Sequence, residues 1–393
     1  MTLRTLEDLG DVDGARVFVR ADLNVPMRDG ILSDDSRISA TVPTLQELLG
    51  RGAHLVCASH LGRPHGRVRE EMRMAPVGER LGQLLGREVV TVNSPSPDPD
   101  DLPEADVVLL ENLRFDPGEE ADDPSFAGRL AELADAYVDD AFGAAHRRHA
   151  SVSALPELLL ASGRAAVAGR LLEREVQVLG RLLADPDRPY VAILGGAKVS
   201  DKLSVIDALL ERVDALLIGG AMAFTFIAAG GGKVGTSLVE PDRYGDVLAT
   251  AEKAERLGVP ITLPTDVVAA AAMDVSAPPR TVAADSIPDE LIGLDIGPAT
   301  VHAFAEVIAG AKTVLWNGPM GVFEIGAFAA GTNGVATAVA DSDAFTVVGG
   351  GDSLSAVKHA GLEDRFDHLS TGGGASLEFL EGHTLPGIAI LED

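Results

Sequence analysis

The chain has 393 residues, 46% of them hydrophobic, which is material for two or three domains with ample cores. Its formal net charge is −28, from 60 acidic residues against 32 basic ones of which six are lysine, and this argues against a nucleic-acid partner, whose phosphates such a surface repels. One cysteine, Cys57, excludes an intrachain disulfide and a thiolate zinc cluster, and points to a reducing, cytoplasmic setting.

From the N-terminus, the opening "MTLRTLEDLG" lacks the basic start and apolar run of a signal peptide, so export is not expected. Short β-branched runs follow at 15–20, 53–60, 105–110, 190–194, 214–220, 259–264, 312–316 and 345–351, with helical segments between them. Continuous apolar strands alternating with helices predict an α/β fold: two Rossmann-like lobes of parallel sheet, covered by helices on both faces. A helical segment over 167–183 ends in "ADPDRP", a stop before the next strand, and reads as the joint between lobes. The domains expected are therefore 1–166 with the tail 382–393, an interdomain helix and hinge at 167–186, and 187–381. The uncharged run at 215–232 is long enough to imitate a membrane span. Gly219-Gly220 divides it into strand-like and helix-like pieces, so no membrane association is expected.

The first lobe sets arginines beside strand ends and loop glycines: Arg20, Arg37, Arg63, Arg114 and Arg147. A guanidinium fork suits carboxylate and phosphate, and an acidic body needs a dedicated cationic cluster to hold a small polyanion. For any one arginine taken alone, a surface ion pair with a neighbouring Asp or Glu is the better reading. His146 and His149 stand three apart and could ligate a metal, but Arg147 and Arg148 between them oppose a cation.

The second lobe carries glycine clusters at 195–196, 219–220, 349–351 and 372–374. "GGAKVSDK" places Lys198 and Lys202 four apart, as on one side of a helical turn, where both reach one phosphate chain. No Walker A loop occurs, and no GxGxxG opens a helix after a strand. "GGGDS" follows a strand and opens a helix, so its amides suit phosphate oxygens and Asp352 could share a Mg²⁺ with them. "STGGGASLEFLE" repeats that logic, with Ser and Thr capping as the simpler alternative. "WNGPMGVFE" is a strand followed by a tight bend, and Glu324 within it either accepts ribose hydroxyls or faces solvent.

"RADLNVP", "HLGRP", "ENLRF", "DAFGAAHRRHAS", "GGAKVSDK", "LPTD", "LDIGP", "WNGPMGVFE", "GGGDS" and "STGGGASLEFLEG", in this order and over nearly the whole chain, resemble the phosphoglycerate kinase family. The resemblance implies Mg²⁺-dependent, reversible, in-line phosphoryl transfer between 1,3-bisphosphoglycerate and ADP after lobe closure, giving 3-phosphoglycerate and ATP. It implies a phosphoglycerate site from Asp22, Leu23, Asn24, Arg37, His60, Leu61, Gly62, Arg63, Arg114 and Arg147. It implies a nucleotide site from Gly196, Lys202, Gly220, Gly293, Asn317, Glu324, Gly350, Gly351, Asp352 and Ser353, with Asp352 at the metal. The transferred group would meet Arg37, Lys198, Lys202, Gly373 and Gly374. Ser353 stands where the family often has threonine, and the hydroxyl is kept. A monomer is expected, with the tail packed on the first lobe. Arg148 reads as surface.

The acidic balance also resembles that of proteins from salt-accumulating organisms, whose self-repulsion is screened by salt; an ordinary acidic enzyme from a GC-rich genome is the alternative. Two other functions fit part of the pattern. A different phosphorylated carboxylic acid could be the substrate. A non-catalytic nucleotide sensor is the other reading, and the retention of both lysines and Asp352 opposes it.

Overall fold

The computed structural model describes residues 2–28, 30–274 and 278–392. It divides into two compact units: residues 1–178 with 384–393, and residues 179–383. Asp393, the last residue of the tail considered above, lies outside the described residues.

In the first unit the strands Arg16–Ala21 (β1), His54–Ala58 (β2), Val90–Thr91 (β3), Val107–Leu109 (β4), Ala136–Asp140 (β5) and Ala166–Ala168 (β6) form one sheet in the order β3-β4-β2-β1-β5-β6. Every pairing is parallel. Consecutive residues of β1 and β5 are buried, so both faces of the sheet are covered.

The second unit contributes Tyr190–Leu194 (β7), Ala215–Ile218 (β8), Ile261–Thr262 (β9), Asp266–Ala270 (β10), Arg280–Ala283 (β11), Ile292–Ile296 (β12), Thr313–Asn317 (β13), Phe345–Gly349 (β14) and His368–Ser370 (β15). Its large sheet is again parallel, in the order β9-β8-β7-β13-β14-β15. A small antiparallel sheet, β11-β10-β12, is an addition that the strand pattern did not announce. The helices that bear on the site are Ser36–Gly50 (α1), Arg170–Ala184 (α2), Leu203–Leu209 (α3), Met222–Ala229 (α4), Ala330–Ala340 (α5), Gly351–His359 (α6) and Gly374–Leu380 (α7).

Both large sheets reverse their winding at the strand where they begin. From β1 the chain fills one side through β2 and then crosses to β5 on the other; from β7 it fills β8 and β9 and then crosses to β13. The carboxyl ends flanking such a reversal form the natural ligand crevice of an open parallel sheet.

The segment expected as a helix over 167–183 starts later. Val167 and Ala168 are the buried end of β6, paired with β5, and α2 begins at Arg170. Asp140 at the end of β5 accepts from Leu171 N at 2.8 Å and so caps the helix from another element.

Candidate functional site

In the first unit β1 delivers Arg20 and Asp22 to the reversal, and α1 presents Arg37 opposite them. Arg37 Nη1 donates to both carboxylate oxygens of Asp22 at 2.8 Å, and Asp22 is 1% exposed. A Cβ on Gly143, in the loop after β5, would stand 2.6 Å from Asp22 Oδ2, so glycine is what lets that loop close on the pair.

Arg20 is wholly buried. It donates Nε to Ser151 Oγ at 2.9 Å, Nη1 to Ala21 O at 2.6 Å and Nη2 to His60 Nδ1 at 3.0 Å. Because arginine only donates, His60 accepts at Nδ1 and stays neutral. Its pKa lies well below the ordinary range, through burial first and then the Arg20 and Arg114 charges. Ser151 Oγ donates in turn to the buried carboxylate of Glu119 at 2.6 Å, and Ser151 N adds a second bond at 3.0 Å. Burial raises the Glu119 pKa against the pull of Arg20.

Arg114 spans to the next loop, donating Nη1 to Gly62 O at 2.9 Å. Burial and the neighbouring Arg20 lower its pKa. His149 is pushed down to about 3 by burial and then by Arg114, Arg20 and Arg147. Burial is the first cause of each of these shifts, and the arginine charges add to it: Arg20, Arg114 and Arg37 at His60, and Arg114, Arg20 and Arg147 at His149. Asn24 Oδ1 accepts from Gly62 N at 2.9 Å and joins the loops after β1 and β2. Arg63 and Arg147 are exposed and make no side-chain hydrogen bond or ion pair among the described residues. Arg148 pairs with Asp122 and Glu157 at the surface.

Leu23 and Leu61 lie in the loops that carry Asp22 and His60. Their side chains belong to the first unit's core. Sequence reasoning missed Glu119, Ser59 and Asn112, which hold the site's loops. Ser59 Oγ accepts from Leu23 N at 3.0 Å, and Asn112 Nδ2 donates to Leu61 O at 2.8 Å. Ser59 and Asn112 carried one available signal, a polar residue just beyond a strand end; Glu119, in the short helix Pro117–Glu120, carried none.

In the second unit, glycines bring three strand-end loops together. A Cβ on Gly220, whose φ is +66°, would stand 2.6 Å from both Gly196 N and Gly196 O. Gly318, at φ +98°, has room only for a hydrogen beside Gly195 O and Lys202 Nζ. The cleft beyond these loops is about 300 Å³; of the residues expected at the nucleotide, Gly196, Gly220, Gly293, Glu324 and Asp352 line it, and Lys202, Asn317, Gly350, Gly351 and Ser353 do not. Its apolar walls, including Phe224, Leu238, Met273, Met320 and Val322, were missed, because an apolar side chain carries no sign that it faces a cleft instead of a core.

Lys198 and Lys202 do not share a helical turn. Residues 195–202 are bends and turns, with α3 starting at Leu203. Lys198 is exposed on that loop, which Glu240 steadies by accepting from Ser200 N at 3.0 Å and Ser200 Oγ at 2.6 Å. Lys202 is 8% exposed and donates to Asn317 O at 2.7 Å and Asn317 Oδ1 at 2.6 Å, across the reversal between β7 and β13. Burial lowers its pKa to about 8, against the raising effect of Asp352 and Asp201.

Ser353 is buried, and its hydroxyl accepts from Gly318 N at 2.6 Å, so it fixes the loop and does not line the cleft. Gly350, at φ +91°, precedes α6, whose first turn carries Gly351 and the exposed Asp352. Gly373 has φ +56° and Gly374 opens α7 beyond β15. Among the described residues there is no group of three or more His, Cys, Asp or Glu able to hold a metal.

The family model described as phosphoglycerate kinase matches residues 6–383. The chain belongs to the phosphoglycerate kinase family. Phosphoglycerate kinases of Salinispora tropica and Moorella thermoacetica are 56% and 51% identical to it, each over the whole of both chains. The solved phosphoglycerate kinase of Coxiella burnetii superposes with a TM-score of 0.88 at 39% identity, covering 99% of each chain. That of Pyrococcus horikoshii gives 0.87 at 31% identity, covering 99% of this chain and 98% of the other. The reaction is therefore that of the family, phosphoryl transfer between 1,3-bisphosphoglycerate and ADP to give 3-phosphoglycerate and ATP. No helix among the described residues is long and apolar enough to cross a membrane.

Proposed function

We propose that the cationic basin of the first unit binds the phosphoglycerate and the cleft of the second binds ADP or ATP. The observation that carries this division is chemical. One crevice is built from arginine forks; the other is a glycine-bounded slot with apolar walls, and its lining carries two exposed carboxylates, Glu324 and Asp352, besides the buried Asp295. A small, highly charged acid needs fixed forks, whereas a nucleotide needs an apolar slot for its base and close backbone approach for its phosphates.

In this reading Arg63 and Arg147 neutralise substrate charge, while Arg37, held on Asp22, is aimed at the transferring group. Lys198 on its exposed loop and Lys202 on Asn317 steady the phosphate chain, with the Gly373 and Gly374 amides beside them. Phosphoryl transfer asks for in-line positioning and neutralisation of the equatorial oxygens, and no covalent residue is required. A single exposed carboxylate, Asp352, suits Mg²⁺, which keeps several waters and shares the phosphates, and such an ion would offset charge on the nucleotide. Glu324 accepts the ribose hydroxyls. The chain works as a monomer in a reducing cytoplasm, its one thiol, Cys57, buried with its pKa pushed up to about 12.

The test is a coupled assay of ADP formation from ATP, Mg²⁺ and 3-phosphoglycerate across a series of potassium chloride concentrations. Turnover that requires both Mg²⁺ and 3-phosphoglycerate supports the assignment. Turnover that rises toward multimolar salt adds that the −28 charge is an adaptation to salt, and turnover confined to low salt discards that adaptation. Folded protein inactive at every salt concentration overturns the substrate assignment.

A further inference from the structure

Asp295, at the end of β12, is 3% exposed and has no cationic partner among the described residues, yet it belongs to the lining of the nucleotide cleft. Its Oδ1 accepts from Ile296 N at 3.0 Å and its Oδ2 from Gly331 N at 2.6 Å. Gly331 lies in the first turn of α5, whose own N-cap, Ala329, offers no side-chain bond. The carboxylate thus caps α5 from a different strand, at the end where helix amides are orphaned and negative charge is favoured. The next helical residue, Thr332, is wholly buried, and its Oγ1 accepts from Met320 N at 3.0 Å and Gly321 N at 3.2 Å. Those two amides belong to the cleft wall 319–322.

Two glycines make this arrangement possible. A Cβ on Gly321 or on Gly331 would overlap Asp295 Oδ1, so the carboxylate is clasped between the cleft wall and the helix start. Met320 in turn occupies the space that Gly195 and Gly219 leave at the ends of β7 and β8. The wall is pinned from one side by packing on the strand ends and from the other by Asp295 and Thr332.

We propose that Asp295 and Thr332 are positioning residues for nucleotide binding, acting through the 319–322 wall, and this rests on the reading of the cleft as the ADP and ATP site. Burial raises the Asp295 pKa to about 7, so holding a charge there is costly and a bare structural need for a helix cap would be met more cheaply by serine at position 329. Removing the Thr332 hydroxyl leaves two wall amides without an acceptor, and the wall shifts to find one.

The experiment compares Thr332→Val, Thr332→Ser, Asp295→Asn and Glu324→Ala in the full chain. It reads the ADP Kd by calorimetry, the KM for 3-phosphoglycerate and the Tm. Thr332→Val keeps the shape of the side chain and loses the acceptor, and should weaken ADP about tenfold with the KM for 3-phosphoglycerate unchanged. Thr332→Ser should restore binding. Asp295→Asn turns a donor toward one of the two amides and should act in the same direction; if it does not fold, the Thr332 pair decides. A lower Tm with wild-type ADP affinity in Thr332→Val, while Glu324→Ala weakens ADP, overturns the proposal and leaves the two residues merely structural. If Glu324→Ala also binds ADP like wild type, the assignment of the cleft fails and takes the proposal with it.

Discussion

The two crevices share one topology and are built from opposite materials. In the first unit side chains do the work: Arg20, Glu119, Ser151 and His60 form a buried chain of hydrogen bonds, and Arg37 is locked on Asp22. In the second, backbone does it: Gly220 admits Gly196, Gly318 admits Gly195 and Lys202, and Gly321 and Gly331 admit Asp295. A parallel sheet supplies the same reversal in both cases, and the ligand decides what fills it. A short polyanion demands fixed charges, which a net-acidic chain must hold in place with buried partners. A nucleotide can be held by amides and apolar walls, which demand space more than charge.

The sharpest break of that comparison is the loss of one cation from each crevice. Arg37→Ala and Lys202→Ala should each lose about 10² to 10³ in kcat, as for removal of one preorganised transition-state donor. Near-normal kcat in either variant removes that residue from the machinery. Thermal melts are needed beside the kinetics, because each change also strands a buried partner, Asp22 or Asn317.

A smaller effect separates the two materials. Arg63→Ala should raise the KM for 3-phosphoglycerate about tenfold and leave the KM for ADP unchanged, the size of one lost hydrogen bond to a charged group. Gly220→Ala should do the reverse, because its Cβ would stand 2.6 Å from Gly196 N and O at a φ of +66°. Equal effects of both substitutions on both constants would mean that the crevices do not divide the substrates.

The smallest effect concerns the carboxylates beneath the first crevice. Burial raises Asp139 to about 6 and Asp140 to about 7, from an ordinary value of 3.8. Between pH 4 and 7 the folded chain therefore binds more protons than the unfolded one, and this pair's contribution to stability falls as pH rises through that window. Asp140→Asn keeps an acceptor for Leu171 N and removes the titration. Its stability relative to wild type should improve from pH 4 to pH 7, read by urea unfolding across that range. A difference that is flat, or that moves the other way, refutes the burial cost assigned to Asp140.

Much of this organisation was legible in the residues. Runs such as 190–194 and 313–316 are strands because an apolar segment with β-branched residues satisfies both faces of a covered sheet. The glycine clusters marked the strand-end loops for the same local reason. Ala136–Asp140 was hidden because two of its five residues are aspartates, which become legible as strand only when β1 and β6 cover them. Val167 and Ala168 were absorbed into the following helix, since a strand of three residues carries no period of its own.

Local chemistry thus determined which segments are strand, turn or helix, which loops must be glycine and where positive charge is concentrated, because each depends on a few neighbouring residues. Tertiary structure alone decided that Glu119 and Ser151 stand behind Arg20, that Lys202 is spent on Asn317, and that Asp295 caps a helix 35 residues onward. Lys202 meets Asn317 because strand order reverses at β7 and sets the ends of β7 and β13 side by side, whereas Asp295 reaches α5 from the small antiparallel sheet. A buried polar group must find its partner wherever the packing puts one, and sequence spacing carries no record of that choice.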